Sequence, residues 1–347
     1  MLIPAAMTSS PVESVWALAA MLAGAAAVAI AIVLRRHGGR WLLAIAMRFA
    51  PFALGVRRCR IGGWPCLVAE PRGATAAPPL VVLHGLGVRK ETMLSLLSGL
   101  RVGRRVIAPD LPGFGEHRLS PDLAAAITRE SFAHGMRPTF AEAMDRRSGP
   151  ETEAYLDAIA AWLERAIEGP FDLLGASMGG ALAASLAARM PDRVERLVLL
   201  GPAGVRAPRL NEFMREVEAD RNPLEIRTVE DLDRVTRLNF VTPPHIPRAI
   251  RAALAKDLRA RQATQDLVID ALGPLLLDGL RETLPRVEAK TLVLWGERDE
   301  ILDASASEVF ATTMRRATVE VVPNAGHTLH GDRPKEVIPR VRAFLGR

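Results

Sequence analysis

"DLLGASMGGALAA", residues 172–184, changes character at its centre. The apolar run at 171–174 reads as a strand, and the Ala/Leu-rich stretch from 178 reads as a helix. Between them stands Gly175-Ala176-Ser177-Met178-Gly179. A serine in an ordinary turn has no use for a glycine two residues to either side. A serine held in a strained strand-to-helix turn does, because Gly175 and Gly179 remove the Cβ atoms that would clash as strand and helix close on each other. G-x-S-x-G in this context is the signature of a nucleophile elbow. The helix that starts at Met178 leaves N–H groups without intrahelical acceptors beside the hydroxyl, where a negative oxygen would form.

A serine hydroxyl is a poor nucleophile until a base takes its proton. The elbow therefore calls for an acid and a histidine downstream, in that order. "LVLWGERDEIL" is a strand followed by a loop carrying Asp299, and "VEVVPNAGHTLH" is a strand followed by a loop carrying His327. Both loops would sit at the C-terminal edge of a parallel sheet, where the elbow opens. His327 is expected to act as base, with Asp299 holding its tautomer and stabilising the imidazolium. Asp303 and Glu297 compete with Asp299, and His330 with His327. The tight Ala-Gly-His turn favours His327, His330 reads as an exposed loop histidine, and Asp303 suits the N-cap of the next helix. For the oxyanion hole, Met178 N–H is one donor. The loop after the third strand, "LHGLGVRK", supplies the other, assigned to Leu86 N–H. His84 then braces that loop. "APDLPGFGEH", residues 108–117, is a Gly/Pro-rich turn expected to line the pocket. This chemistry calls for no cofactor and no metal.

Strand and helix signals alternate along the rest of the chain, which implies βαβ units and a mostly parallel sheet. Residues 206–284 break the rhythm with charge-rich helical segments and the Pro-rich joint "TPPHIP" at 242–247. They are expected to form a helical cap. Phe213, Met214, Leu224, Leu238, Phe240, Val241 and Ile246 supply its apolar surface, and Phe240 is assigned to substrate binding. The expected division is an anchor and interfacial segment at 1–52, core at 53–205, cap at 206–285 and core again at 286–347.

The chain has 347 residues, 49% of them apolar, and a formal charge of +6 in which Lys90, Lys256, Lys290 and Lys335 are the only lysines. No basic helix is interleaved with aromatics, and Tyr155 is the only tyrosine, so nucleic acid is not an expected partner. Cys59 and Cys66 lack any partner spacing for zinc and read as free thiols on a short hairpin around Gly62-Gly63. Residues 15–34 form an uncharged run of bilayer-spanning length. A cleaved signal peptide would want Lys or Arg before that run, and only Glu13 is charged there. Arg35, Arg36, Arg40 and Arg48 follow it, so the positive-inside rule places the bulk of the chain in the cytoplasm behind a single-pass anchor. Residues 40–52 read as an interfacial segment.

The set H-G-x-G, D-L-P-G-F-G, G-A-S-M-G-G, W-G-E-x-D and A-G-H, in this order, resembles the α/β-hydrolase superfamily from about residue 56 to 347. Within it, "GASMGG", "LLGPAGV" at 199–205, "NFVTPPHIPRAI" and "GERDEILD" resemble the membrane-anchored monoacylglycerol lipases of the domain-containing protein 6 type. The resemblance implies an α/β-hydrolase fold, a lipid monoester substrate, and triad roles for Ser177, Asp299 and His327. The chain departs from that family's spacing at 118–150, which reads as an extra insert beside the pocket. Serine at the elbow argues against dehalogenases and epoxide hydrolases, whose relatives carry aspartate there. Two alternatives stay open: a cap-bearing carbon–carbon bond hydrolase of ring-cleavage products, and a non-catalytic membrane-anchored binding module that inherited the elbow. No feature of the sequence sets the oligomeric state.

Overall fold

The computed structural model describes residues 49–73, 77–128 and 149–346. Eight strands form one sheet: β1 (Arg57–Ile61), β2 (Trp64–Ala69), β3 (Leu80–Leu83), β4 (Val106–Pro109), β5 (Phe171–Ala176), β6 (Val194–Leu200), β7 (Lys290–Gly296) and β8 (Ala317–Val322). Their spatial order is β1-β2-β4-β3-β5-β6-β7-β8. β1 and β2 form an antiparallel hairpin, β2 runs antiparallel to β4, and every later pairing is parallel. β3, β4 and β5 are buried along their whole length, as expected of parallel strands covered on both faces.

Helices cover the two faces and bury a separate apolar cluster on each. One cluster packs Tyr155, Trp162, Leu182 and Leu272 against Val81, Leu173 and Leu197. The other packs Leu96, Leu97, Val337 and Val341 against Val82, Leu174 and Val198. The helix Pro150–Ala166 starts with proline at its first turn, where the missing N–H costs nothing. Its Tyr155 is fully buried and donates its hydroxyl to the Pro112 carbonyl at 2.8 Å, which ties the 108–117 turn to the core.

Between β6 and β7 the described chain forms helices Glu212–Glu218, Val229–Asn239 and Arg248–Leu277, and no strand. Thr228 and Asp231 form a reciprocal capping box that starts the second of these. The 118–150 stretch begins with a helix at Pro121–Thr128, and residues 129–148 lie outside the described residues. Residues 15–34, read above as an anchor, also lie outside them. Among the described residues no helix is long and apolar enough to cross a membrane. Cys59 and Cys66 face each other in register across the β1–β2 hairpin as free thiols, and burial pushes the Cys66 thiol up to about 12.

Candidate active site

The elbow stands where β5 ends and the helix Met178–Arg189 begins. From Phe171 to Ala187 every residue is buried except Ser177. Ser177 has φ 54° and ψ −121°, a left-handed conformation that costs a non-glycine residue strain. Its neighbours show why the turn is built of glycine. A Cβ on Gly175 would stand 2.0 Å from the Gly179 carbonyl oxygen, and one on Gly179 would stand 2.4 Å from the Leu83 carbonyl oxygen. The first glycine lets strand and helix close, and the second lets the helix sit against the end of β3. The strain is held by backbone bonds: Ser177 N–H donates to Leu200 at 3.0 Å, and its carbonyl accepts from Gly180 and Ala203. At a helix N-cap a serine hydroxyl ordinarily accepts from the first turn. Ser177 makes no such bond, and its hydroxyl faces His327 instead.

Three side chains from three loops meet at this edge. His327 Nε2 lies 2.9 Å from Ser177 Oγ, and His327 Nδ1 lies 2.7 Å from Asp299 Oδ2. The network assigns the tautomer: Nδ1–H donates to the carboxylate, and Nε2 is free to accept from the hydroxyl. Asp299 is itself fixed, because its Oδ1 accepts from Ile301 N–H at 2.9 Å and Leu302 N–H at 2.8 Å. The competing residues are engaged elsewhere. Glu297 accepts from Asn324 N–H, and Asp303 accepts from Ser305 N–H and Arg209. The following helix, Ala306–Thr313, takes Ser305 as its N-cap, so Asp303 closes the turn before the cap instead of capping it. His330 is not an exposed loop histidine. It is 4% exposed, on the short helix Leu329–Asp332, and burial brings its imidazole down to about 4.

The loop 84–90 faces Ser177 from the β3 side. A Cβ on Gly85 would stand 3.3 Å from Ser177 Cβ and 3.8 Å from Oγ, so the Gly85–Leu86 peptide lies beside the hydroxyl. His84 is fully buried and neutral. Burial lowers its imidazole below the ordinary value, Nε2 accepts from Leu111 N–H at 3.0 Å, and Nδ1–H donates to the Gly85 carbonyl at 2.8 Å. Among the described residues no peptide is cis. In a trans peptide the N–H points opposite the C=O. By gripping the Gly85 carbonyl, His84 turns the Leu86 N–H away from itself and fixes its direction. Met178 supplies the first N–H of its helix, which has no intrahelical acceptor.

Behind this loop lies a charge cluster that sequence reasoning missed. Lys90 is 1% exposed, and its ammonium lies 2.5 Å from Asp110 Oδ2. Asp110 also accepts from the Lys90 and Glu116 N–H groups at 2.9 and 2.8 Å. Burial pushes the Asp110 carboxyl up, but the Lys90 charge and these N–H donors outweigh it and hold the group below its usual range. Glu91, Glu116 and Arg58 extend the cluster outward. The one signal in the sequence is that Lys90 is one of four lysines in a chain rich in arginine.

The cap residues divide between packing and lining. Phe213 is buried with Val217 and Ile301, and Met214, Leu224 and Leu238 pack on that group. Phe213 and Leu238 also face an open cleft of about 1020 Å³, whose walls include Asp299 but not Ser177, together with charged residues such as Arg221, Arg234 and Arg298. This cleft therefore reaches Asp299 and not Ser177 or His327. Phe240 rests against the histidine loop, where a Cβ on Gly331 would stand 2.8 Å from its ring. Among the described residues no cluster of His, Cys, Asp and Glu has the form of a metal site.

A sheet of this topology with a nucleophile elbow, an acid loop and a histidine loop at one edge defines an α/β-hydrolase. Residues 80–340 match the alpha/beta hydrolase family, and the chain belongs to it. It is 25% identical over 278 residues to the Mus musculus protein named monoacylglycerol lipase ABHD6, covering 77% of this chain and 75% of that one. It is 25% identical over 281 residues to Lipase 1 of Psychrobacter immobilis, covering 80% of each. Among solved structures, a membrane phospholipase A described as a bacterial virulence factor superposes with a TM-score of 0.75 at 27% identity, over 94% of this chain and 97% of that one. A meta-cleavage product hydrolase of Pseudomonas fluorescens IP01 shares the fold, with a TM-score of 0.62 at 18% identity over 84% and 98%.

Proposed function

We propose that the protein is a serine hydrolase of carboxylic esters acting on lipid monoesters of the monoacylglycerol kind. One observation carries the reading: the continuous Ser177–His327–Asp299 relay at 2.9 and 2.7 Å on a strained elbow. Ser177 Oγ attacks the ester carbonyl while His327 Nε2 takes its proton. The oxyanion that forms is held by the Leu86 and Met178 N–H groups. The imidazolium is stabilised by Asp299, and it returns the proton to the departing alcohol, leaving an acyl group on Ser177. Water then attacks the acyl carbonyl as His327 takes its proton, the bond to Ser177 Oγ breaks, the imidazolium returns the proton to Oγ, and the acid leaves. No step needs a cofactor or metal.

The lipase names of the relatives support the substrate class. The division into core at 53–205 and 286–347 and cap at 206–285 belongs to the same reading. So does a single-pass anchor at 15–34 that keeps the hydrolase on the cytoplasmic face, where a lipid monoester is concentrated. Purified protein given monoacylglycerol, p-nitrophenyl butyrate and a vinylogous 1,5-diketone ring-cleavage product should hydrolyse the first two and spare the third. Cleavage of the diketone alone would move the protein to the carbon–carbon bond hydrolases, and inertness on all three would leave a binding module. Deleting residues 1–38 should leave butyrate hydrolysis within about twofold and reduce hydrolysis of monoacylglycerol in vesicles. Equal loss on both substrates would refute location as the segment's role.

A further inference from the structure

The two residues that flank His327 are both fastened to the cap. On the C-terminal side, Thr328 N–H donates to the Asn239 carbonyl at 2.9 Å, and its hydroxyl donates to Asn239 Oδ1 at 3.1 Å. On the N-terminal side the connection runs through Asp332. Its Oδ2 accepts from Gly326 N–H at 2.8 Å and from Val241 N–H at 2.8 Å, and its Oδ1 accepts from Thr242 N–H at 3.1 Å. One carboxylate thus holds a backbone donor of the histidine loop and two backbone donors of the cap. The approach is close enough that a Cβ on Gly326 would stand 3.0 Å from the Asn239 carbonyl oxygen and 3.1 Å from Val241 N. Residues 239–242 leave the helix Val229–Asn239 and have no sheet or helix of their own to pair with. Asp332 satisfies the Val241 and Thr242 N–H groups, and Thr328 on the histidine loop donates in return to the Asn239 carbonyl.

We infer that Asp332 is a positioning residue which makes the alignment of His327 depend on the seating of the cap. The inference rests on the reading that His327 is the base. Carboxylate oxygens accept several N–H bonds at once, and an ionised acceptor makes each of them stronger. Loss of the carboxylate frees Gly326 and Val241 together, so the imidazole loses support on its N-terminal side as cap residues 241 and 242 come loose, while the Thr328–Asn239 bonds on the other side remain. A catalytic group displaced by about 1 Å costs orders of magnitude in rate. The rate of the chemical step is therefore sensitive to cap residues that do not touch the reacting atoms, even for a substrate too small to reach the cap.

Two variants test this from opposite ends of the bond. Asp332→Asn keeps the size but replaces one accepting oxygen with an amide NH2 that cannot accept from an N–H donor, and leaves the other as a neutral and weaker acceptor. Val241→Pro removes one donor on the cap side and leaves the carboxylate intact. The preceding Phe240, at φ −131° and ψ 134°, already has the backbone that a residue before proline prefers. Turnover of p-nitrophenyl acetate is measured per active site, counted by fluorophosphonate titration, beside the melting temperature. Asp332→Asn should lower kcat about tenfold or more with KM moved less than about threefold, and Val241→Pro should lower kcat about threefold or more in the same way. A merely structural role would lower the melting temperature and the number of titratable sites, and leave kcat per site alone. That result in both variants, or a fall in Asp332→Asn with Val241→Pro unchanged, overturns the coupling. His327→Ala is run beside them. If it keeps activity, the catalytic reading fails first. If it is inactive while the two variants are unaffected, only the coupling fails.

Discussion

The loop at 84–90 is held chiefly by buried side chains of the core, with Arg89 reaching the cap at Asp257, whereas the loop at 324–332, beside its bonds to the core, is fastened to cap residues 239–242 on both sides of His327. On the first side stand the fully buried His84 ring and the Lys90–Asp110 pair. On the second stand Asn239, Val241 and Thr242, half-buried or exposed, joined through Asp332 and Thr328. A support that lies wholly inside the core opens only when the domain unfolds. A support made of bonds to a half-exposed segment opens with a local movement. In the proposed mechanism the Leu86 and Met178 N–H groups assigned to the oxyanion thus belong to the folded core, and His327 is aligned jointly by core and cap.

The largest effects should fall on the three side chains that both loops serve. Ser177→Ala and His327→Ala should each lower ester hydrolysis about ten-thousandfold or more, and Asp299→Asn by about a thousandfold or more. Double variants should lose little beyond the worse single variant, because the three act as one unit. Additive losses in steady-state kinetics would break the relay into independent parts.

The charge cluster behind the 84–90 loop should act on stability instead. Lys90→Met leaves the Asp110 carboxylate buried without its ion pair, at a cost of about 3–5 kcal/mol in urea unfolding. Turnover per folded molecule should change far less. A large fall in kcat with unchanged stability would make Lys90 part of the chemistry and undo the contrast between the two loops.

A pH effect reports on the buried His84 and His330. Burial brings His330 down to about 4 and lowers His84 as well, so both are neutral in the fold. In the unfolded chain they take up protons near pH 6.5. From there downward the unfolded state binds protons that the folded state refuses. Stability is therefore full above about pH 6.5 and falls as the pH drops toward 4, by about 3 kcal/mol for His330 alone. Urea midpoints at pH 7 and 4.5 should show a smaller difference in His330→Gln than in the parent. An identical difference would mean that His330 is not buried neutral.

The smallest effect sharpens the oxyanion side. His84→Ala releases the Gly85 carbonyl and should lower kcat about 10- to 100-fold on p-nitrophenyl butyrate, with KM within about threefold. A rise in KM at unchanged kcat would make His84 a binding residue.

The sequence shows the elbow, the order of acid and histidine, and the alternation of strands and helices because each is local. Gly175 and Gly179 stand within four residues of each other, and the strand read at 171–174 and the helix read from 178 fall on the strand Phe171–Ala176 and the helix Met178–Arg189. What stayed hidden is bonded across long stretches of chain. Asp332 meets Val241 and Thr242 through backbone N–H groups, which every residue but proline carries, so no residue type marks the contact. Lys90 and Asp110 are twenty residues apart, on different loops. The burial of His330 follows from a short helix that packs its ring inward, against the polar surroundings of its sequence. Phe240 is assigned to substrate binding because it is apolar and lies in the cap, but nothing in its sequence marks where its ring packs. In the fold its ring covers Gly331 on the histidine loop.

The most direct test of the account is where a mechanism-based label attaches. Wild-type protein treated with a fluorophosphonate, digested and mapped by mass spectrometry should carry the adduct on the peptide containing Ser177 and on no other. His327→Ala should label far more slowly, because the hydroxyl keeps its proton. An adduct on a different residue, or labelling of Ser177→Ala at the wild-type rate, would contradict the assignment of Ser177 as nucleophile.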